Sequence, residues 1–400
     1  MNNFEDELVR ELKSIGDAGL FRELRRVDSA QGPRIEITGR TVLNFSSNDY
    51  LGLANHPLLK EAAIQATEKF GVGSGASRLI CGSLAPHHEL EETLANFKGT
   101  EAALTFSTGY AAALGAICSL VGKEDVIILD KLVHASIVDA ARLSGAKLRV
   151  FAHNDLNDLE DKLKWAATVQ SPKSKAQGRA PRTLVVTESV FSMDGDLAPL
   201  RDIVELKDRF GAWLMVDEAH ATGLFGAHRR GLAEAYEVAD RIEVQMGTLG
   251  KAIGASGGFI CGSRPLIDLL VNRARSFIFS TAPVPAAAAA AKAGIEVIQS
   301  TSGEERRVRL WSLVDQLKNA LTGLKWKSPV VQSAIVPLIV GDETKAVELA
   351  AALRQRDIFL PAIRYPTVAR GKARLRVTVT ASHTAEDVRQ LAAALTELQP

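Results

Sequence analysis

Apolar positions at the start of the chain recur at helical spacing. Phe4, Leu8, Leu12 and Ile15 share one face of a charged segment, which predicts an amphipathic N-terminal helix. Two strand-like runs follow, 34–38 and 41–45, meeting at Gly39. From there to about residue 282 two patterns alternate. Apolar runs of strand length occupy 103–106, 126–129, 148–151, 184–187, 213–216 and 244–247. Helix-length segments such as 89–97, 135–143 and 156–166 separate them. Such alternation, with runs apolar on both faces, predicts an α/β fold: a mostly parallel sheet wrapped by helices. After Pro283 an Ala-rich helix leads into 308–324, then strand 334–340, helix 345–354, strand 373–378 and helix 385–398. This reads as a smaller α+β C-terminal domain. The expected division is 1–45 (helix and short strands), 46–282 (large domain) and 283–400 (small domain). Segment 170–182, rich in Ser, Pro, Lys and Gly, reads as a solvated surface loop without chemistry.

Length agrees with more than one lobe, because 400 residues exceed the ~250–300 at which a single core stops growing. The 48 Lys+Arg against 47 Asp+Glu leave a net charge of +1, too small to grip a phosphodiester backbone, so no nucleic acid is expected. No stretch reaches the ~20 uncharged apolar residues of a membrane span. The charged N-terminus lacks the apolar core of a secretory signal, so a cytoplasmic protein with no membrane contact is expected. Cys81, Cys118 and Cys261 are far apart and read as reduced, buried small hydrophobes. No metal-ligand spacing is present, and no metal is expected.

Three places combine chemistry with a strand end. In Trp213-Leu-Met-Val-Asp217-Glu-Ala-His220 an apolar run ends in a carboxylate, where ligands of parallel α/β sheets bind. Taken alone, the same residues also fit a turn-capping Asp and a surface His. Lys251 follows the 244–247 run among glycines and small side chains, which suits an amine nucleophile. A plain loop lysine beside a glycine turn is equally compatible. Ser107-Thr108-Gly109-Tyr110 joins a strand to a helix, an arrangement that serves as an anion site or as an ordinary helix cap. His134 follows the 126–129 run. Gly71 to Gly75 suggests a nucleotide loop, as in a nucleotide-binding dehydrogenase. It follows a helical segment instead of a strand and is not GxxxxGK[ST], so that reading fails its context test.

Pyridoxal 5′-phosphate (PLP) needs an amine, a carboxylate for its ring nitrogen, a phosphate cup and a flat group over the ring. Lys251, Asp217, residues 107–110 and His134 supply one each. At this point the chain resembles the α-oxoamine synthases, fold type I PLP-dependent transferases. The motifs that carry the resemblance are Asn44-Phe-Ser-Ser-Asn48-Asp-Tyr-Leu-Gly-Leu, Gly73-Ser-Gly-Ala-Ser-Arg-Leu, Thr187-Glu-Ser-Val-Phe-Ser192-Met-Asp-Gly-Asp, Asp217-Glu-Ala-His220, Thr248-Leu-Gly-Lys251 and Arg374-Leu-Arg376-Val. They span nearly the whole chain.

The resemblance implies decarboxylating condensation of an amino acid with an acyl-CoA. It makes Lys251 the Schiff-base lysine and the base at the α-carbon, with Asp217 on the ring nitrogen. Ser192 and His220 would contact the ring oxygen, and His134 would stack on the ring. Gly109, Tyr110 and Thr248 would hold the phosphate. Asn48 and Arg376 would bind the amino acid carboxylate. It also implies a homodimer with a shared active site, in which Thr281 reaches the partner's phosphate. Among members, Ile363-Arg364-Tyr-Pro-Thr367-Val and Leu20-Phe-Arg22 are most similar to the one that joins L-alanine to pimeloyl-CoA or a pimeloyl carrier protein. Arg22 and Thr367 would then meet the far end of the pimeloyl chain. Members using glycine with acetyl-CoA, or serine with a long acyl-CoA, are the alternatives.

Overall fold

The computed structural model describes residues 3–169, 180–326 and 330–399, so most of the expected 170–182 loop lies outside the described residues. The chain forms two compact units. One comprises Met1–Tyr50, Met193–Gly195 and Val308–Pro400, the other Leu51–Ser192 and Asp196–Arg307. The boundary therefore falls after Arg307, not at 282. The Ala-rich helix Pro285–Gln299 packs on helices Pro57–Phe70 and Ala85–Lys98 of the second unit. Proline marks the start of that helix, where its missing N–H costs nothing, and marks no domain border.

In the first unit β1 (Arg34–Ile37) and β2 (Arg40–Asn44) form the expected antiparallel hairpin. The helix Asn3–Asp17 also forms, but none of its residues is buried, and Phe4, Leu8, Leu12 and Ile15 are exposed.

The second unit is built on a seven-stranded sheet. Its strands are β3 (Ala102–Phe106), β4 (Val126–Asp130), β5 (Lys147–Phe151), β6 (Thr183–Glu188), β7 (Trp213–Asp217), β8 (Val244–Thr248) and β9 (Gly258–Gly262), in the order β3-β9-β8-β7-β6-β4-β5. The five from β8 to β5 run parallel, and β9 is antiparallel to both β3 and β8. Their apolar runs are buried on both faces except in β5, an edge strand whose Lys147 and Arg149 reach water. Helices Gly109–Leu120, Ala135–Ser144 and Arg264–Arg273 cover a core that takes Ile127, Leu129, Val186, Met215 and Ile260 from the strands.

Strand β9, which begins and ends in glycine, is not among the expected strand runs. A Cβ on Gly258 would stand 2.6 Å from the N and Cα of Gly109, and one on Gly262 would stand 2.8 Å from the Glu243 oxygen. Here glycine admits a neighbouring backbone into the sheet. Cys261 is buried in β9, Cys118 is partly buried and Cys81 is exposed, so the expectation of three buried thiols fails at Cys81.

The first unit continues with β10 (Ile335–Gly341), β11 (Ile358–Phe359), β12 (Ala362–Ile363) and β13 (Ala373–Thr378). Strand β11 adds to β2, and β10-β13-β12 forms a second small sheet. Strands β11 and β12, two residues each, are too short to show in the apolar pattern. Among the described residues no helix is long and apolar enough to cross a membrane.

A buried ion pair anchors the residue next to Asp217. Lys98 Nζ lies 2.5 Å from Glu218 Oε2, with both side chains almost fully enclosed, and also donates to the Arg230 oxygen. Removing one partner strands a charge in a low dielectric, at ~3–5 kcal/mol, whereas replacing both is far milder. Lys98→Met is thus expected to lower stability by that order, and Lys98→Met/Glu218→Leu by much less. Thermal melts check this; a double variant as unstable as the single would contradict it.

Candidate active site

The parallel strands of the second unit end in polar side chains along one edge: Asp130 on β4, Glu188 on β6, Asp217 on β7 and Thr248 on β8. Glu188 and Asp217 are direct register partners at the ends of neighbouring strands. Both are almost fully buried, at 2% and 6% exposure. Asp217 Oδ1 accepts from the Ala219 N–H at 2.9 Å. Burial pushes its carboxyl above the usual range, against the Lys251 charge, the Ala219 N–H and His134. Glu188 Oε2 accepts from the Ser192 N–H at 3.2 Å, while Oε1 has no hydrogen-bond partner among the described residues. Burial, then the neighbouring Asp217 charge, pushes Glu188 up to about 8, with Lys251 opposing.

Lys251 sits just beyond β8, with Nζ 2.7 Å from His220 Nε2, and its charge acts on both carboxyls. Asp217, His220 and Lys251 are therefore brought together, and Ser192 is tied to the same place through Glu188. His134 joins them electrostatically, since its principal partners are the Asp217 and Lys251 charges. It caps the helix Ala135–Ser144, its Nδ1 accepting from the Ser136 N–H at 3.2 Å. Its outer face is open to water, yet the surrounding protein desolvates the ring enough to hold its pKa below the ordinary value, with Asp217 opposing.

Gly109 opens a helix of twelve residues, capped by Thr108, whose hydroxyl accepts from the Ala111 N–H at 3.0 Å. First-turn N–H groups have no acceptor within their helix and face any anion placed there. A Cβ on Gly109 would lie 3.9 Å from Thr248 Oγ1, so the helix start and the end of β8 adjoin. Thr248 Oγ1 donates to the Gly257 oxygen at 3.0 Å and accepts from the Gly250 N–H at 3.2 Å. Tyr110 is exposed and donates to Asp139 Oδ2 at 2.6 Å. Thr281 is exposed in an isolated bridge with Ser77.

The remaining expected residues belong to the first unit. Arg376 is buried on β13, and its Nη1 donates to Asn48 Oδ1 at 3.1 Å and to Thr378 Oγ1 at 2.8 Å. Arg22 and Thr367 line one cavity of about 460 Å³ with Arg25, Arg354 and Arg364. Arg364 bonds the Gly19 oxygen and, at 2.8 Å, the Phe21 oxygen, which anchors the segment carrying Arg22.

Sequence reasoning missed Glu188 as a site residue, and also Asp130 at the end of the neighbouring strand β4. The signal was available. Asp130 and Glu188 each follow an apolar strand run, just as Asp217 does. Among the described residues no group of three or more His, Cys, Asp or Glu side chains is arranged to hold a metal ion.

A parallel sheet whose strand ends gather a lysine and two buried carboxyls suits a cofactor-carrying transferase. The chain belongs to the aminotransferase class I and II family, whose model matches residues 40–395. It is 46% identical over 385 residues to an 8-amino-7-oxononanoate synthase of Geotalea daltonii, covering 96% of this chain and 95% of that one. Its fold matches a serine palmitoyltransferase from S. paucimobilis with a bound PLP–myriocin aldimine, at a TM-score of 0.90 and 31% identity over 98% of this chain and 96% of that one. It also matches an 8-amino-7-oxononanoate synthase from Francisella tularensis, at 0.74 and 26% identity over 89% and 97%.

The Glu188 carboxyl has a consequence for the ligand-free protein. Between the ordinary 4.5 and about 8 the folded state keeps a proton that the unfolded state releases. Stability therefore falls as pH rises through that window. Asp217 acts with the same sign, so Glu188→Gln is expected to flatten the decline without abolishing it. Melting temperatures of both proteins between about pH 5 and about pH 8 test this; parallel curves would contradict it.

Proposed function

We propose that this chain condenses L-alanine with a pimeloyl thioester to form 8-amino-7-oxononanoate, carbon dioxide and free thiol, with PLP as its cofactor. The observation that carries this is the Lys251 amine facing the paired Asp217 and Glu188 carboxyls, in a chain similar over almost its full length to 8-amino-7-oxononanoate synthases.

The residues fit PLP. A lysine stands ready for its aldehyde, the buried Asp217 lacks a full counter-charge, Glu188 Oε1 is unpartnered, and a helix start lies beside Thr248. Once bound, the cofactor supplies an electron sink for bond breaking at the alanine α-carbon. The chain's own residues do the rest. Lys251 Nζ would hold the cofactor covalently until the alanine amine displaces it, and the freed amine would then take the proton from the alanine Cα. Asp217 keeps the ring nitrogen protonated, since a buried carboxylate with a cationic neighbour is stabilised in its charged form. His134, kept neutral by its surroundings, lies over the ring. Ser192 and His220 bond the ring oxygen, and Gly109, Tyr110 and Thr248 hold the phosphate. Asn48 and Arg376 orient the amino acid carboxylate, for which a guanidinium fork is well shaped.

The enzyme works as a homodimer in the cytoplasm, with Thr281 of one copy completing the phosphate site of the other. Arg22 and Thr367 meet the distal carboxylate of the acyl chain, delivered on CoA or a carrier protein. A cavity lined by four arginines suits a chain ending in a carboxylate far better than a palmitoyl tail or an acetyl group. That weighs against the serine–palmitoyl reading, which the high structural similarity to serine palmitoyltransferases would otherwise favour.

Thiol release measured with alanine, glycine and serine against pimeloyl-, acetyl- and palmitoyl-CoA tests the proposal. Alanine with pimeloyl-CoA is expected to exceed every other pair by about 100-fold or more in kcat/KM. A preference for serine with palmitoyl-CoA, or for glycine with acetyl-CoA, would overturn it.

A further inference from the structure

His153 is a half-buried ring outside the site described above. It follows β5, and carboxylates meet both of its nitrogens. Nδ1 is 3.0 Å from Asp130 Oδ1, and Nε2 is 2.7 Å from Asp196 Oδ2. An ionised carboxylate can only accept, so both ring nitrogens donate and the ring is an imidazolium. Burial alone would lower its pKa; the two charged hydrogen bonds override that and push it up to about 10.

Each carboxylate belongs to a different segment of the site. Asp130 ends β4, where Oδ1 accepts from the Leu132 N–H at 2.8 Å and Oδ2 from the Asn154 N–H at 2.9 Å. It thereby fixes the start of the short link from β4 to His134. Asp196 closes the turn that carries Ser192. In that turn the Phe191 N–H donates to the Asp196 oxygen at 3.1 Å, Val190 bridges Leu197, and the Ala198 N–H donates to the Ser189 oxygen at 3.0 Å. Asn154 adds two bonds to the same turn, from Nδ2 to Asp196 Oδ2 at 3.1 Å and to the Leu197 oxygen at 3.2 Å. Its backbone sits at φ 55°, in the left-handed region that asparagine tolerates better than most residues. Phe191, next to Ser192, packs edge-on against the His153 ring, with centroids 4.3 Å apart at 87°.

We propose that His153 is a positioning residue: its cation, clamped between Asp130 and Asp196, holds the His134 segment and the Ser192 turn together as one surface toward the cofactor. The inference rests on the PLP reading of the site. Without the cation, two carboxylates face each other across a partly dry gap, and the segments part. His134 and Ser192 then lose their setting, although neither touches His153.

The test uses the full-length protein freed of cofactor and titrated with PLP. His153→Gln keeps the size and a donor but loses the charge; Asp196→Asn loses the second anchor. Both are expected to raise the PLP dissociation constant by about 10–100-fold, the range typical of partners standing behind a binding group. Both should also shift the pH titration of the visible cofactor band. A merely structural role would lower the melting temperature while leaving the dissociation constant and the band titration within about twofold of wild type, and that result overturns the proposal. ¹⁵N-histidine spectra of the unaltered protein give a check that needs no variant. A His153 ring still doubly protonated near pH 8.5 is expected, and loss of the proton near the ordinary value of about 6.5 overturns the proposal. Wild-type protein that takes up no PLP would remove the PLP reading itself and this inference with it.

Discussion

Two carboxyl groups buried side by side at the ends of paired strands set the terms for everything around them. Glu188 and Asp217 occupy matching positions on β6 and β7, and both are almost fully buried. In a low dielectric two such anions repel each other and each lacks hydration, so both cannot be charged without cations close by. Lys251 supplies one. A protonated ring nitrogen would supply a second, which is the proposed basis on which the site would take its cofactor. The same edge of the sheet places a helix start beside Thr248, where a phosphate would be accommodated next to the cationic ring.

A second carboxylate pair, Asp130 at the end of β4 and Asp196 in the turn after β6, is bridged internally by the single His153 ring. The contrast is informative. Where a cation is built in, the cluster holds the fold. Where the built-in cation is a lysine amine able to bond an aldehyde, the cluster is open to a ligand. Lys98 and Glu218 follow the first rule again, one residue from Asp217.

Much of this was legible in the residues. The strands of the parallel sheet announce themselves as apolar runs because both faces are covered, and Asp217 and Lys251 stand out as polar residues directly after such runs. The two-residue strands β11 and β12 leave no periodicity to read. Strand β9 was hidden because its glycines serve close backbone approach, a property of the neighbouring chain and not of the segment itself. The unit boundary was misplaced because a change of composition at Pro283 marks a new helix, and only packing shows which unit that helix joins. Glu188 lay within a recognised motif and at a strand end, yet its significance depends on which strand is its neighbour. Register is a tertiary fact. His153 depends on two contacts 23 and 43 residues away in sequence, which no local pattern reports.

Lys251 is the proposed point of covalent attachment. Borohydride reduction of the protein incubated with PLP, followed by peptide mapping, tests this most directly. A single phosphopyridoxyl label on Lys251 is the expected result. A label on another lysine, or no label at all, would contradict the account at its centre.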